Sequence, residues 1–473
     1  MPENPDNSDR QMPGAPLLGL AFIMVVGAAL RIRGIGTQSL WLDEVLTWRT
    51  ATAPLSKFFA TLAANENTPP LYFLIVNLWV RLFGDSDAAL RFPSAIFGIG
   101  CIAAMFWLGR ELWNSRVGLV GAIFVAFSPY HIWYSQEART YTLLFLLILC
   151  STACLARLLR EPARWAMIGY VVGNALAFYA HPFALFAIAA QNVFFVIHWL
   201  VHRNSSRVLS MRHWLTMNGA VAVTLTPWIS KLLDLARTGQ PWLTENATIY
   251  ETFVAYYGSN ALLALLGALA LAGIGVAVWK HDVRIVLAVL LLAFPVICPL
   301  LMSSAKQPAF HVRYGILSII GLALLAGYGV ARLPVRVAFA VMVTYVGLVL
   351  PTLRVPGYPT YPGVLVRVDM RSPARVIAKE ARAGDGLILT ESWWMNTVFE
   401  RYCRRNDLVR ATLNDLQQPG GTHRYWLMAH PGAQTKDTLA RVRAAGYDAF
   451  ERGYFHEINL WEVVPVEQSG HFE

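Results

Sequence analysis

Apolar runs about as long as a bilayer crossing recur along this chain, and they constrain its fold more than any other feature. Pro16–Leu30 with its flanks, Val117–Tyr134, Leu262–Trp279 and Ile285–Met302 each suit the roughly 20 residues that carry a helix through hydrocarbon. Lipid offers no water to backbone amides, so such runs must fold as helices that satisfy their own N–H and C=O groups. Composition agrees. Only 14% of the residues are charged and 56% are hydrophobic, far from the roughly 25% and 45–50% of soluble domains. A polytopic α-helical membrane protein is expected.

The net charge is +10, from 39 Lys and Arg against 29 Asp and Glu. The arginines sit mostly in short loops between apolar runs, which suits positive-inside bias and phosphate binding better than nucleic acid. Basic loops at Arg110–Arg116, Arg157–Arg164, His202–His213, Lys280–Arg284 and Arg332–Arg336 are therefore expected in the cytoplasm. The stretches "SQEARTY" (135–141), "YAHPF" (179–183), the connection 231–251 and "SSAKQPAFHVRY" (303–314) are expected on the other face. "LYFLIVNLWVRLF" (71–83) spans only about 20 Å as a helix, and if it crossed, every basic loop would flip outward. It is read as re-entrant or interfacial, leaving about eleven transmembrane helices, with Asp43 through Arg91 forming one long external segment. Residues 1 to 15 are polar with a single Arg10 and no clear small-residue cleavage site follows, so the first helix is read as retained. The five cysteines form neither a disulfide framework nor a zinc-ligand spacing.

After about Leu353 the composition changes. "RVPGYPTYPG" reads as a linker, so residues 1–352 are expected to form the transmembrane domain and residues 353–473 an extracytoplasmic α/β domain. Within it "GDGLILT", "RYWLMAH" and "INLWEVV" read as strands, and "WWMNTVFERYCR" and "TKDTLARVRAAG" as helices.

The polar residues at the outer helix ends hold the chemistry. "QSLWLDEVLTW" (38–48) places Asp43 and Glu44 beside Trp41 and Trp48. These acids are either solvated loop groups next to interfacial tryptophans or groups facing a cation or substrate. "SPYHIWYSQEARTY" (128–141) clusters Gln136, Glu137, Arg139 and Tyr141, "ALRFPS" brings Arg91, and "HVRY" brings Arg313 and Tyr314. An Arg with a nearby Glu is also what a structural ion pair looks like. Three arginines at outer helix ends run against positive-inside bias but fit an anionic phosphate, whose oxygens guanidinium grips in bidentate fashion. His181 of "FYAHPF" reads as a hydrogen-bonded structural group or as part of a pocket. "NTPPLYF", with Asn67 and Tyr72, reads as a helix start or as a substrate wall. The chain holds no P-loop, dinucleotide fingerprint, HExxH or GxSxG, which removes the simplest evidence for ATP-driven transport and serine hydrolysis.

Taken in order, "LWLDE", "NTPPLYFLIVNLWVRLFGDSDAALRFPSAIFG", "SPYHIWYSQEARTYTL", "YAHPF" and "HVRY" resemble the bacterial members of glycosyltransferase family 39 over roughly residues 15 to 350. These are C-class membrane glycosyltransferases related to protein O-mannosyltransferases and the lipid A aminoarabinose transferase. The resemblance implies a sugar donor on polyprenyl phosphate, an acceptor that is lipid A, another lipid, a polysaccharide or a protein, inversion at the anomeric carbon, and no nucleotide sugar. It implies Asp43 as general base, with Glu44 orienting the acceptor or a nearby arginine. Arg91, Arg139 and Arg313 would hold the phosphate. Asn67, Tyr72, Gln136, Glu137, Tyr141, His181 and Tyr314 would contact substrate, although many relatives carry Lys or His where this chain has Asn67-Thr68. No metal or other cofactor is expected; were a divalent cation used, Asp43, Glu44 and Glu137 would supply oxygen ligands. The expected location is the bacterial inner membrane, with the site and the C-terminal domain on the periplasmic face. The alternatives are a flippase for lipid-linked sugars and a polysaccharide ligase.

Overall fold

A computed structural model describes residues 14–66, 68–202, 209–238, 247–303, 310–353, 368–390, 392–417 and 424–467. The chain divides into two compact units. One takes mainly Met1–Ile35 and Thr50–Val355, and the other joins Gly36–Arg49 to Val366–Glu473. The stretch read as a linker lies largely outside the described residues.

The first unit is helical. Among the described residues, seven helices are long and apolar enough to cross a membrane: Ala15–Ile32, Asp87–Leu112, Tyr141–Arg160, Ala184–His202, Asn260–Trp279, Ile285–Met302 and Val335–Leu353. An eighth arises if Ser115–Ala126 and Pro129–Ser135, bent by 65° at their junction, count as one broken span. The expectation of about eleven also counted Arg164–Ala180, Met211–Leu225 and Ser318–Val330, which have 17, 15 and 13 residues. These are shorter than the roughly 20 residues of an upright crossing. Leu71–Phe83 is a 13-residue apolar helix that begins directly after Pro69-Pro70.

Two features fix the packing of these helices. Gly273 and Gly329 let their helices meet backbone to backbone: a Cβ at Gly273 would lie 2.3 Å from the Leu325 carbonyl oxygen, and one at Gly329 would lie 2.5 Å from that of Leu269. Such close approach is how helices gain packing energy where lipid removes the hydrophobic drive. The second feature is a reciprocal cap. The bend at Ser128-Pro129 ends the Ser115–Ala126 helix, and Arg31 donates to the exposed carbonyls of Val125 (2.9 Å) and Ala126 (3.0 Å). Arg31 is wholly buried and also meets His131 Nδ1 at 2.9 Å. In return, the Gln136 amide donates to the carbonyls of Leu30 (3.2 Å), Arg31 (3.1 Å) and Arg33 (2.8 Å), closing the C-terminal end of the first helix.

In the second unit, strands β1 (Gly386–Leu389), β2 (Val409–Ala411), β3 (Tyr425–Ala429), β4 (Tyr447–Phe455) and β5 (Ile458–Pro465) form one sheet in the order β2-β1-β3-β5-β4. The β1 strand runs parallel to β2 and β3, while β5 is antiparallel to β3 and β4. Helices Arg371–Glu380, Ser392–Tyr402 and Ala433–Ala444 complete the unit. The core gathers Ile388, Tyr425, Leu427, Val442, Trp461 and Val463. Beside it the buried Asp385 carboxylate accepts from Arg424 (2.7 Å) and from the Trp426 indole (3.1 Å), and Arg424 also reaches Glu462 at 2.9 Å. The expected strands correspond to β1, β3 and β5, whereas β2 and β4 carry no apolar run and are additions.

Replacing Arg31 with Met keeps length and apolar stem but strands the buried Ala126 carbonyl and leaves that of Val125 with the 3.4 Å bond from the Ser128 N–H alone, a stranded carbonyl costing about 1–3 kcal/mol. Arg31→Met is expected to lower stability by roughly 2–4 kcal/mol, seen as a reduced melting temperature in detergent. An unchanged melting temperature would remove the capping role.

Candidate active site

In the first unit, the segment after the bend brings several of the expected residues together. Residues 136–140 form an irregular turn between the Pro129–Ser135 and Tyr141–Arg160 helices, and that turn presents Glu137 and Arg139, both buried. Arg139 makes a two-point ion pair with Glu66: Nη1 contacts Oε1, and Nη2 lies 3.2 Å from Oε2. Sequence reasoning passed over Glu66, which immediately precedes the double-proline motif and carried the signal of an acid in an apolar setting. Arg139 also lies 5.8 Å from the Phe73 ring centre.

Tyr72 is fully buried, and its hydroxyl lies 2.8 Å from Ser94 Oγ. Ser94 in turn donates to the Arg139 carbonyl (3.1 Å), and its own carbonyl accepts from Thr142 (3.0 Å). Ser94 is a second residue that the sequence reading missed, because nothing marks one helical serine among many. One turn earlier on the same helix, Arg91 is 1% exposed and donates from Nη1 to the Ile35 carbonyl at 3.0 Å.

Aromatic rings enclose His181. Tyr141 and Tyr314 have their ring centres 5.9 and 6.0 Å from the imidazole, and Phe183 lies 5.0 Å away. Arg313, also buried, stands 5.5 Å from the Tyr314 ring. Burial, followed by the charges of Arg139 and Arg313, pulls the His181 pKa down to about 3. The Phe183 N–H donates to His181 Nδ1 at 3.2 Å, which places the proton of the neutral ring on Nε2. The turn therefore gathers buried charge of both signs: two guanidiniums flank one neutral histidine, and the carboxylates of Glu66 and Glu137 offset their charge.

Not every expected residue joins it. Gln136 spends its amide capping the first helix, as described above. Asn67 lies outside the described residues. Asp43 and Glu44 belong to the second unit, on the Leu42–Thr52 helix. Glu44 is wholly buried, and its carboxylate accepts from the Trp41 N–H at 3.4 Å, closing the helix start, while Asp43 is partly exposed. No group of three or more His, Cys, Asp or Glu side chains that would hold a metal ion occurs among the described residues.

Comparison with known proteins supplies the wider frame. Residues 67–230 match the family model described as dolichyl-phosphate-mannose-protein mannosyltransferase. ArnT from Cupriavidus metallidurans in the apo state superposes with a TM-score of 0.61 at 12% identity, covering 95% of this chain and 98% of that one. The protein has the fold of a GT-C membrane glycosyltransferase. Two ligand-bound structures share this GT-C fold. ArnT bound to undecaprenyl phosphate gives a TM-score of 0.56 at 16% identity, over 94% of this chain and 97% of that chain. The oligosaccharyltransferase AglB from Archaeoglobus fulgidus, in complex with an inhibitory peptide and a dolichol-phosphate, gives 0.54 at 11%, over 93% and 74%. No curated protein matches the chain in sequence.

Two outcomes follow from the pocket. Removing one partner of a buried ion pair leaves the other uncompensated, at about 3–5 kcal/mol. Glu66→Ala and Arg139→Ala are thus each expected to destabilise strongly, and the double variant by clearly less than their sum; additive losses in denaturation measurements would dissolve the pair. The His181 pKa lies below the ordinary 6.5, so the unfolded chain binds the extra proton first as pH falls. Stability is complete above about 6.5 and is lost toward 3, by up to about 1.4 kcal/mol per pH unit. His181→Phe is expected to flatten that part of the melting-temperature profile, and an unchanged slope would contradict it.

Proposed function

We propose that the protein transfers a sugar from a polyprenyl-phosphate donor to a hydroxyl of a lipid, polysaccharide or protein acceptor, at the periplasmic face of the bacterial inner membrane. The observation that carries this reading is the buried pocket in which Arg139 and Arg313 flank neutral His181 within a wall of Tyr and Phe rings. Two guanidiniums held out of water suit one anionic phosphate diester, and aromatic faces suit a sugar ring. The match of residues 67–230 to the mannosyltransferase model and the GT-C fold support the same class, as does the binding of polyprenyl phosphates by the ArnT and AglB relatives.

In the proposed reaction the acceptor oxygen bonds to the anomeric carbon as the bond from that carbon to the phosphate oxygen breaks, inverting the centre. Asp43 takes the acceptor proton. The lipid phosphate departs with the electron pair and one more negative charge, which Arg139, Arg313 and Arg91 stabilise by fixed positive charge rather than by proton donation. Tyr72, Tyr141 and Tyr314 border the sugar, Glu137 is assigned to its hydroxyls, Asn67 remains a substrate-contact candidate, and Glu44 holds the start of the helix that bears Asp43. The basic loops at 110–116, 157–164, 202–213, 280–284 and 332–336 support the periplasmic orientation, since positive-inside bias favours them in the cytoplasm.

The test uses purified protein in nanodiscs with a panel of radiolabelled polyprenyl-phosphate sugars and an outer-membrane lipid extract. Label is expected to move into a new product with wild type and to fall by about 10²- to 10⁴-fold with Asp43→Asn, the usual worth of a positioned base. Donor binding without transfer, in a panel shown competent with a known transferase, would overturn the reading. Full activity in Asp43→Asn would remove the base assignment alone.

A further inference from the structure

The acid pair is carried by a segment with no regular structure in front of it. Residues 36–41 form neither helix nor strand, so their backbone groups must find partners elsewhere. Those partners come from the C-terminal domain, 320 or more positions along the chain. Arg371 donates from Nη1 to the Gly36 carbonyl at 3.1 Å and from Nη2 to the Thr37 carbonyl. The Leu40 N–H donates to the Tyr402 hydroxyl at 2.6 Å. Ser39 Oγ donates to the Val368 carbonyl (2.8 Å) and accepts from the Met370 N–H (3.3 Å).

The same attachment continues along the Leu42–Thr52 helix. Arg49 pairs with Glu400 at 2.8 Å, and the Arg401 guanidinium lies 4.6 Å from the Trp48 ring centre. Leu40, Glu44 and Val45 are wholly buried in this contact region. Three consecutive residues at the end of the Ser392–Tyr402 helix therefore grip the segment, while Met395, Val398 and Phe399 of that helix are buried. A rigid sheet domain thus clamps both ends of the stretch that holds Asp43 and Glu44.

We infer that Arg371 and Tyr402 are positioning residues of the transferase, setting the backbone from which Asp43 acts. The inference rests on the function proposed above. Each removes freedom from a backbone that has no ladder of its own, and a misplaced base loses rate steeply with distance. A domain that merely stabilised the chain would show its loss in unfolding, with the turnover of the folded fraction intact.

The experiment compares wild type, Tyr402→Phe, Arg371→Gln and Trp393→Ala in the nanodisc assay. Trp393 lies on the same helix but is 67% exposed, and its variant serves as the control with unchanged turnover. Tyr402→Phe and Arg371→Gln are expected to lower kcat by roughly ten- to a hundredfold with donor affinity unchanged. In an Asp43→Asn background the same changes are expected to cause no further loss, because they act through that carboxylate. Hydrogen exchange of residues 36–49 is expected to quicken in both variants while the β3 and β5 amides keep their protection. Wild-type turnover in the two variants, or an undiminished loss on top of Asp43→Asn, overturns the positioning role. An inactive wild type instead overturns the proposed function. If Arg371→Gln does not assemble, Tyr402→Phe, which keeps its ring, decides the matter by the same readings.

Discussion

A helix that breaks inside an apolar bundle must find donors for the carbonyls it exposes, and that requirement organises this molecule. The chain meets it by exchange. Arg31 at the end of the first helix serves Val125 and Ala126, and Gln136 beyond the break serves Leu30, Arg31 and Arg33. Each helix end is completed by a side chain from the other, so neither is satisfied unless both are in place. Everything distinctive about the pocket follows from the break. Tyr130 and Tyr134, with ring centres 4.7 Å apart and planes inclined at 57°, lie on the short helix after it, and the turn bearing Glu137 and Arg139 comes next. A straight helix through this region would carry those groups around its circumference instead of delivering them into one turn.

Within that turn the electrostatics are balanced rather than simply positive. Two buried guanidiniums without an anion would be expensive, and Glu66 supplies one negative charge while His181 stays neutral. Glu137 adds a second buried carboxylate in the same turn, so each guanidinium has a formal counter-charge when the pocket is empty. Ser94 adds geometric control, since it touches Tyr72, the Arg139 backbone and Thr142 through three separate bonds. A polar knot of this kind inside apolar helices holds direction more than it adds stability.

How much of this the sequence discloses depends on the range of the interaction. The spans are legible because apolar length is a local property; β1 and β3 are legible because their residues are continuous apolar runs, and β5 because apolar residues dominate it around Asn459 and Glu462. The β4 strand is not, since it lies at the sheet edge with no fully buried residue and pairs there with β5. Arg139 stood out because arginine at an outer helix end is unusual, whereas Gln136 looked equally suited to a sugar hydroxyl and to a helix end. Only the position of the first helix decides that question. Glu66 was overlooked because its partner lies 73 residues away.

The adjacent acids show the same limit on a smaller scale. On a helix, neighbouring side chains point about 100° apart, so Asp43 and Glu44 cannot share one environment. Glu44 turns inward and accepts from the Trp41 N–H, as a third-position acid in a capping box does, while Asp43 keeps partial exposure. Both sit in the first turn, where the helix dipole favours negative charge. The dipeptide thus divides into a structural acid and an accessible one. That division depends on the helix starting at Leu42, and the start in turn depends on a backbone held by Arg371 and Tyr402 from the far end of the chain.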